Sequence, residues 1–229
     1  MDMKSSRIDF PYRFSILGAG KVAKSLADKL QELALLDYVF FTNSNRQKEL
    51  IDFGIDPNIT TNQLQNLVNS DIIIIAVNDN AIAEVVDNIA KIIDNSGTLK
   101  YIFHTSGLIG AEILDPLSQK GAKVFSAHPI QTFYFPNKSL LQNISWGIET
   151  INADKTEINQ IIKLFEGNPI YLPEQLIQSR VLYHLLCVIS SNFVTTTIEY
   201  AKLISNYLKI QDISFLSELI KTTSENCIS

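Results

Sequence analysis

The chain has 229 residues, of which 46% are hydrophobic, and its formal net charge is −5. This composition is typical of a globular protein with a sizeable core, and it argues against a disordered chain. The acidic balance, and the lack of any run rich in Lys and Arg, argue against nucleic acid as the main partner. Cys187 and Cys227 show neither metal-ligand spacing nor a disulfide framework, so we expect a protein of the reducing cytoplasm with no metal site.

The sequence also argues against export and against membrane insertion. The N-terminal segment MDMKSSRIDFPY lacks the apolar core of a secretory signal. The most apolar short run, Ile72–Val77, is too short to span a bilayer. The later segment VLYHLLCVISSNFV contains His, Ser and Asn, and we interpret it as a buried helix of a soluble protein.

In chain order, apolar runs rich in β-branched residues alternate with segments of helical periodicity. The predicted strands are RFSILGAG, DYVFFTN, DIIIIAVND, KYIFHTSG and KVFSAHP, and the predicted helices between them are KVAKSLADKLQEL, NRQKELIDFG, AIAEVVDNIAKII and GAEILDPLSQKG. The run DIIIIAVND is typical of a central parallel strand that is covered on both faces. This order predicts an α/β fold with a doubly wound, mostly parallel sheet.

The last part of the chain has a different pattern. Two late strands, SWGIET and PIYLP, flank the helix DKTEINQIIKLFEG, and from about Pro173 onward the sequence carries only helical patterns. We therefore predict a dinucleotide-binding domain over residues 1–172, followed by a small all-α domain over residues 173–229.

The strongest motif is Gly18–Ala23, which has the form G-x-G-x-x-A where the first strand passes into the first helix. Gly18 permits a tight turn, Gly20 lets the backbone approach a pyrophosphate, and Ala23 lets helix and strand pack closely. Free N–H groups and the helix dipole favour an anion there. We therefore predict a Rossmann-like cofactor site rather than a glycine turn without a ligand. Its expected contacts are Gly18, Ala19, Gly20, Lys21 and Val22.

The end of the second strand bears on which dinucleotide binds. An NAD site usually has an acidic residue there, which bonds the ribose 2′-hydroxyl. Here the strand ends in Thr42–Arg46, which contains no acid. Ser44 could donate to a 2′-phosphate and Arg46 could pair with it, so we favour NADP over NAD. The alternative is that Arg46 and Lys48 are a solvated helix start.

Three predicted strands end in polar residues, and ligands of open α/β sheets lie beyond the carboxyl ends of the strands. These ends are Val77–Asp79, Phe103–Gly107 and Ser126–Phe133. We expect Val77 and Asn78 to lie beside the cofactor. Asp79 is more simply explained as the cap of the helix that follows.

Two of the protein's three histidines, His104 and His128, lie at these ends. Either imidazole could polarise a carbonyl or relay a proton near neutral pH, and Ser106 could hold a substrate oxygen. A single such histidine would more often bond a loop carbonyl, but two at one crevice favour a function. Ser106 with two histidines does not make a hydrolase, because the G-x-S-x-G turn is absent.

The third histidine belongs to a semi-polar stripe on the long C-terminal helix, made of His184, Cys187, Ser191 and Thr195 at helical spacing, with Asn192 beside it. The stripe could form the second wall of a substrate cleft. We prefer the alternatives, which are satisfied core polar groups or a subunit contact. Cys187 has no evident activating neighbour and is interpreted as a small core residue.

The motifs ILGAGKVAKSLA, IIIIAVND, HTSG, HPIQTF, GIE and YHLLCVISSNFV occur in this order along the chain. Together they resemble a family of little-characterised bacterial proteins described as NADP oxidoreductases, with a Rossmann-like domain followed by a helical domain of unknown function. That family is related to pyrroline-5-carboxylate reductase and to deazaflavin-dependent NADP oxidoreductases. The resemblance spans nearly the whole chain.

The resemblance implies NADP at Gly18, Gly20, Ser44 and Arg46. It also implies a substrate cleft near His104, Ser106, His128 and Asn192, and a homodimer formed through the helical domains. In one departure, Asn78 replaces a Pro common in such families. In a second, the chain ends at TTSENCIS, where similar proteins continue through another helical segment, so part of the cleft or dimer wall is expected beyond this sequence.

Two functions are compatible with these sequence features. The first is an NADP-dependent oxidoreductase that transfers a hydride between nicotinamide and a small carbonyl or imine substrate. In such an enzyme, His104 or His128 would be the proton donor or would polarise the carbonyl, and Ser106 and Asn192 would position the substrate. The alternative is a non-catalytic NADP-binding sensor or assembly module, because no catalytic lysine or acid pair is evident.

Overall fold

The structure is a computed structural model that describes residues 10–93 and 100–228. Residues 1–9, on which the expectation about a secretory signal mainly rests, lie outside the described residues. The chain divides into two compact units, one ending at Tyr183 and one beginning at His184, and each is described by itself. The predicted domain boundary near Pro173 stays a prediction.

The described residues form eight strands: β1 (Phe14–Leu17), β2 (Leu36–Phe40), β3 (Thr60–Thr61), β4 (Ile72–Ile75), β5 (Tyr101–His104), β6 (Lys123–Pro129), β7 (Ser145–Thr150) and β8 (Asn168–Tyr171). The α-helices in the described part of the chain are α1 (Lys21–Glu32), α2 (Ser44–Phe53), α3 (Asp79–Ile92), α4 (Asp115–Ser118), α5 (Lys155–Leu164), α6 (Glu174–Gln178), α7 (Arg180–Val188), α8 (Val194–Tyr207) and α9 (Ser217–Ile228).

The strands form one sheet in the order β3-β2-β1-β4-β5-β6-β7-β8. All neighbouring strands are parallel except β6 and β7, which are antiparallel. This confirms the predicted doubly wound, mostly parallel sheet. The strand order reverses between β1 and β4, which is where open α/β sheets have their ligand crevice.

The run of four isoleucines in β4 explains why this strand lies at the centre of the sheet. Side chains alternate between the two faces of a strand. Ile72 and Ile74 therefore pack into the hydrophobic cluster that includes α1. Ile73 and Ile75 pack into the cluster on the other face, which includes α3. Both faces are thus covered, as the continuous apolar run predicted.

The ends of two helices test the predicted turn chemistry. Gly54 ends α2 in the left-handed conformation with φ 109°, as predicted. The side chain of Asn43 caps the start of α2, where it accepts a hydrogen bond from the backbone N–H of Arg46 at 3.1 Å. The prediction that Asp79 caps α3 is wrong, because the capping position is Asn78 and Asp79 is the first helical residue. The Asp79 carboxylate instead lies in the first turn, where the helix dipole favours a negative charge.

The C-terminal part of the described chain is helical, and among the described residues no strand follows Tyr171. α7 continues through a π-helical segment, Ile189–Phe193, into α8. The prediction that this helix is buried is wrong for the described part of the single chain, in which apolar side chains such as Leu186 (55% exposed) and Phe193 (57% exposed) remain exposed. By length and composition the helix Arg180–Tyr207 could cross a membrane, which alone is weak support for a membrane span.

Candidate functional site

The glycine turn between β1 and α1 uses its two glycines differently. Gly18 has φ 141°, and a Cβ atom on it would lie 2.2 Å from the carbonyl oxygen of Ala76. Gly18 is therefore required by the turn itself. Gly20 caps α1 with φ −78°, and a Cβ atom there would have no neighbour within 4 Å. The space in front of the helix N-terminus is thus open, as a phosphate would require.

A cavity of about 400 Å³ opens beside this turn, at the carboxyl ends of β1, β2 and β4. Its position is the crevice expected from the reversal of strand order. Six of the predicted cofactor residues line it: Gly18, Ala19, Gly20, Arg46, Val77 and Asn78. Its other walls are partly apolar, with Phe40, Leu64 and Val85, and so could accept a nucleotide base.

The other three predicted cofactor residues are not among the side chains that line this cavity. Val22 packs against the hydrophobic core. The ammonium group of Lys21 lies 5.8 Å from the ring centre of the exposed Tyr134. Ser44 is exposed and is the first residue of α2, two positions before Arg46 in the chain.

Charged side chains stand at the edge of the cavity near the end of β2. Arg46 Nη1 lies 2.8 Å from Glu49 Oε2, and Lys24 Nζ lies 3.4 Å from the same oxygen. The hydrogen bond from Arg46 holds the pKa of the Glu49 carboxyl below its usual value. Two cations thus share one carboxylate, so these three side chains together carry one positive charge. Glu84 of α3 brings a further carboxylate to the cavity lining.

His104 ends β5 and is fully buried. Its Nε2 lies 3.0 Å from the carbonyl oxygen of Gly110, and its Nδ1 accepts the backbone N–H of Ser106 at 3.3 Å. Burial lowers the pKa of His104 to about 4, so the ring is neutral near pH 7. A neutral imidazole has one N–H, which these bonds assign to Nε2. Both ring nitrogens therefore hold the loop that follows β5.

Ser106 has a similar place in this loop. Its hydroxyl oxygen accepts the backbone N–H groups of Leu108 at 3.1 Å and Ile109 at 3.0 Å. Such a bond pattern is typical of a serine that stabilises a turn. We name residues 104–110 the β5 loop, and the side chains of His104 and Ser106 are both hydrogen-bonded to its own backbone.

His128, near the end of β6, is half-buried and lies against the β5 loop. A Cβ atom on Gly107 would come within 2.7 Å of the His128 ring, so the two segments touch. The structure therefore brings together the predicted HTSG and HPIQTF motifs. On its other side, His128 Nδ1 lies 2.9 Å from the hydroxyl oxygen of Tyr183.

A buried ion pair below this cluster was missed by the sequence interpretation. Arg180 bonds Glu149, with side chains that are 10% and 11% exposed. The same Arg180 nitrogen donates to Ser126 Oγ at 3.1 Å, and Glu149 accepts the backbone N–H of Ala111 at 3.0 Å. Burial lowers the pKa of Arg180 from its ordinary value. The pair links β6 and β7 to the segment that follows the β5 loop.

A signal for these residues was present in the sequence. Glu149 belongs to the motif GIE, and Tyr183 precedes the histidine of YHLLCVISSNFV.

Asn192 lies in the π-helical segment of the second unit and is exposed. In the stripe beside it, Ser191 Oγ donates to the carbonyl of Cys187 at 2.7 Å, and Thr195 Oγ1 donates to that of Ser191 at 3.1 Å. These hydroxyls thus satisfy carbonyls of their own helix. The role of Asn192 in a substrate cleft stays a prediction.

Comparisons with family models agree with this architecture. Residues 2–129 match the Rossmann-like domain, and residues 144–229 match a domain of unknown function, DUF2520. No curated protein is similar enough in sequence to match the chain.

Three solved structures illustrate the similarity of fold. A protein described as an NADP oxidoreductase from Bacteroides fragilis has 18% identity and a TM-score of 0.70, over 94% of this chain and 80% of its own. A pyrroline-5-carboxylate reductase from Coxiella burnetii has 14% identity and a TM-score of 0.63, over 96% and 77%. Prephenate dehydrogenase from Aquifex aeolicus, in complex with hydroxyphenyl propionate and NAD⁺, has 14% identity and a TM-score of 0.60, over 90% and 72%.

Proposed function

The chain belongs to the Rossmann-like domain family, with a C-terminal domain of unknown function, and from this premise we propose that it is a soluble cytoplasmic NADP-dependent oxidoreductase. It would transfer a hydride between nicotinamide and a small carbonyl or imine substrate. The observation that carries the proposal is the open space at Gly20, at the N-terminus of α1 and beside a cavity of about 400 Å³. When it is bound, the nicotinamide ring supplies or accepts the hydride.

Our preference for NADP over NAD rests on the side chains near the end of β2. Arg46 lines the cavity and Ser44 lies between the lining residues Thr42 and Arg46 in the chain, so both could contact a 2′-phosphate. Arg46 would then pair with both the 2′-phosphate and Glu49, while Lys24 would continue to neutralise the Glu49 carboxylate. One similar structure is described as an NADP oxidoreductase and another contains NAD⁺, so parallel titrations with NADPH and NADH test this preference.

The β5 loop and His128 are proposed to form the substrate end of the site. His128 is the favoured group for polarising the substrate carbonyl or imine, because its ring is half-buried whereas His104 is fully buried. His104 and Ser106 would act by holding the β5 loop in place. We retain Asn192 as a proposed substrate-positioning residue.

We also propose that the protein is a homodimer formed through its helical part. Leu186, Ile189, Phe193 and Leu203 expose large apolar side chains in the single chain, and a second copy would remove them from water. Light scattering on the purified protein would measure its mass, and a monomer at micromolar concentration would contradict this proposal.

A direct test of the oxidoreductase is a panel of small carbonyl and imine substrates, incubated with NADPH and followed by its absorbance. Turnover of at least one of them supports the proposal. NADPH binding without turnover of any substrate, together with an oligomeric state that changes with NADPH, would instead support the alternative of a nucleotide sensor or assembly module. The exposed apolar side chains of the helical part are the observation that favours this alternative.

A further inference from the structure

Tyr183 and His128 form a hydrogen-bonded pair between residues that are 55 positions apart in the chain. Tyr183 is only 4% exposed, and its hydroxyl oxygen lies 2.9 Å from His128 Nδ1. The two rings meet edge to face, with centroids 5.7 Å apart and an interplanar angle of 85°. A phenol in this place can fix which imidazole nitrogen carries the proton.

Two glycines make room for this pair. Gly147 lies directly opposite His128 in the antiparallel ladder of β6 and β7. A Cβ atom on Gly147 would lie 2.3 Å from the Tyr183 hydroxyl oxygen. A Cβ atom on Gly107 would lie 2.7–2.9 Å from three atoms of the His128 ring. Neither glycine has a positive φ, so close approach, and not backbone conformation, is what requires glycine here.

The charge beside Tyr183 indicates the direction of the hydrogen bond. The guanidinium group of Arg180 lies 5.7 Å from the centre of the Tyr183 ring. A cation against the ring stabilises the electron density that builds up on the phenol when its hydroxyl donates. Nδ1 of His128 is then the acceptor.

We propose that Tyr183 is a positioning residue for His128: its hydroxyl donates to Nδ1 and so holds the single proton of the neutral imidazole on Nε2. Resting on the proposed function, this assigns Nε2–H as the group that polarises the carbonyl oxygen or imine nitrogen of the substrate. His104 is also assigned as an Nε2–H tautomer, but its Nε2–H donates a hydrogen bond to the carbonyl oxygen of Gly110 in the β5 loop. The two histidines thus have the same tautomer but different roles, since the Nε2–H of His128 faces the substrate in this proposal and that of His104 stabilises the β5 loop.

The first test measures the tautomer and needs no substrate. Long-range ¹H–¹⁵N correlation spectra of the ¹⁵N-labelled full chain, recorded above the titration range of histidine, distinguish a protonated from an unprotonated ring nitrogen. The three histidines are assigned with His128→Gln and His184→Gln. We expect unprotonated Nδ1 and protonated Nε2 at His128. The opposite tautomer, or a mixture of both, in the unaltered protein would overturn the proposal.

Tyr183→Phe then removes the donor while keeping the ring. We expect the His128 signals to shift towards a mixture of tautomers, and turnover to fall about tenfold with the KM for NADPH unchanged. Tyr171→Phe is the matched control, because its hydroxyl bonds Lys155 and Asn159 away from this pair. Unchanged His128 signals in Tyr183→Phe would contradict the proposal.

These readouts separate the two hypotheses. If the unaltered protein turns over no carbonyl or imine but shows the expected tautomer, the proposed function fails and the positioning role of Tyr183 stands. If turnover is present but His128 carries its proton on Nδ1, the oxidoreductase stands and the inference about Tyr183 fails.

Discussion

The glycine turn after β1 and the β5 loop both follow central strands at the same edge of the sheet. They differ in whether the end of the strand is open to a ligand or is closed by hydrogen bonds within the loop. At Gly20 the turn leaves open space in front of the first helix. In the β5 loop, the side chains of His104 and Ser106 form hydrogen bonds with backbone atoms of the loop itself. Polar residues at a strand end therefore do not by themselves indicate a ligand contact, whereas open space at the N-terminus of a helix favours the binding of an anion.

The largest expected effect comes from the two glycines of the glycine turn, since Gly18 is required by the fold whereas Gly20 leaves open space for a ligand. Gly18→Ala should lower the free energy of unfolding by about 3 kcal/mol, because the new Cβ would meet Ala76 and φ is positive. Urea denaturation measures this loss. Gly20→Ala is the matched control and should cost no more than about 1 kcal/mol, since its Cβ enters open space and only the poor N-cap preference of Ala opposes it. Equal losses in the two variants would refute the distinction between them.

The β5 loop should reveal its structural role through pH. His104 has a pKa of about 4 in the fold against 6.5 as its ordinary value, so the unfolded chain binds the proton first. The neutral His104 therefore contributes roughly 3 kcal/mol to the free energy of unfolding. This contribution is complete above pH 6.5 and is lost as the pH falls towards 4.

His104→Gln should remove this part of the pH dependence, while the carboxylates common to both proteins cancel. Denaturation at several pH values measures the difference in free energy of unfolding between the two proteins. A difference that stays constant between pH 6.5 and 4 would show that His104 titrates normally in the fold.

His128 should behave in the opposite way, with a loss of turnover and little loss of stability. We expect His128→Gln to reduce kcat by about 100-fold, which is the usual contribution of a general acid or polarising group. Steady-state kinetics with NADPH and the best substrate of the panel measures this effect. If kcat is unchanged while the unfolding free energy falls as in His104→Gln, both histidines are structural.

The smallest expected effect concerns the choice of coenzyme. Arg46→Ala should reduce the preference for NADPH over NADH about tenfold, or about 1.4 kcal/mol, because a charged partner of the 2′-phosphate is lost. Lys48→Ala, on the same helix, is the control and should leave the ratio of the two affinities unchanged. A ratio that responds equally to both variants would indicate a general effect of positive charge.

Much of the fold could be predicted because its signals are local. The isoleucines of β4, the glycine at position 18 and the left-handed Gly54 each act within a few residues of the chain. The burial of the long helix could not be predicted correctly, because its apolar pattern does not say whether the covering surface belongs to the same chain.

The candidate site was less predictable, because its decisive contacts join distant residues. Nothing local distinguishes His104 from His128, since both follow apolar strand residues. What separates them is that one is enclosed by Gly110 and Ser106 whereas the other meets Tyr183, 55 residues away. The Arg180–Glu149 pair depends in the same way on two segments that only the fold brings together.

The most direct test of the central claim is a calorimetric titration of NADPH into the purified protein and into Gly20→Ala. We predict one site per chain in the unaltered protein, and an affinity at least tenfold weaker in Gly20→Ala, whose new methyl group occupies the space in front of α1. The absence of binding to the unaltered protein, or an equal affinity in both proteins, would contradict the assignment of this turn as the dinucleotide site.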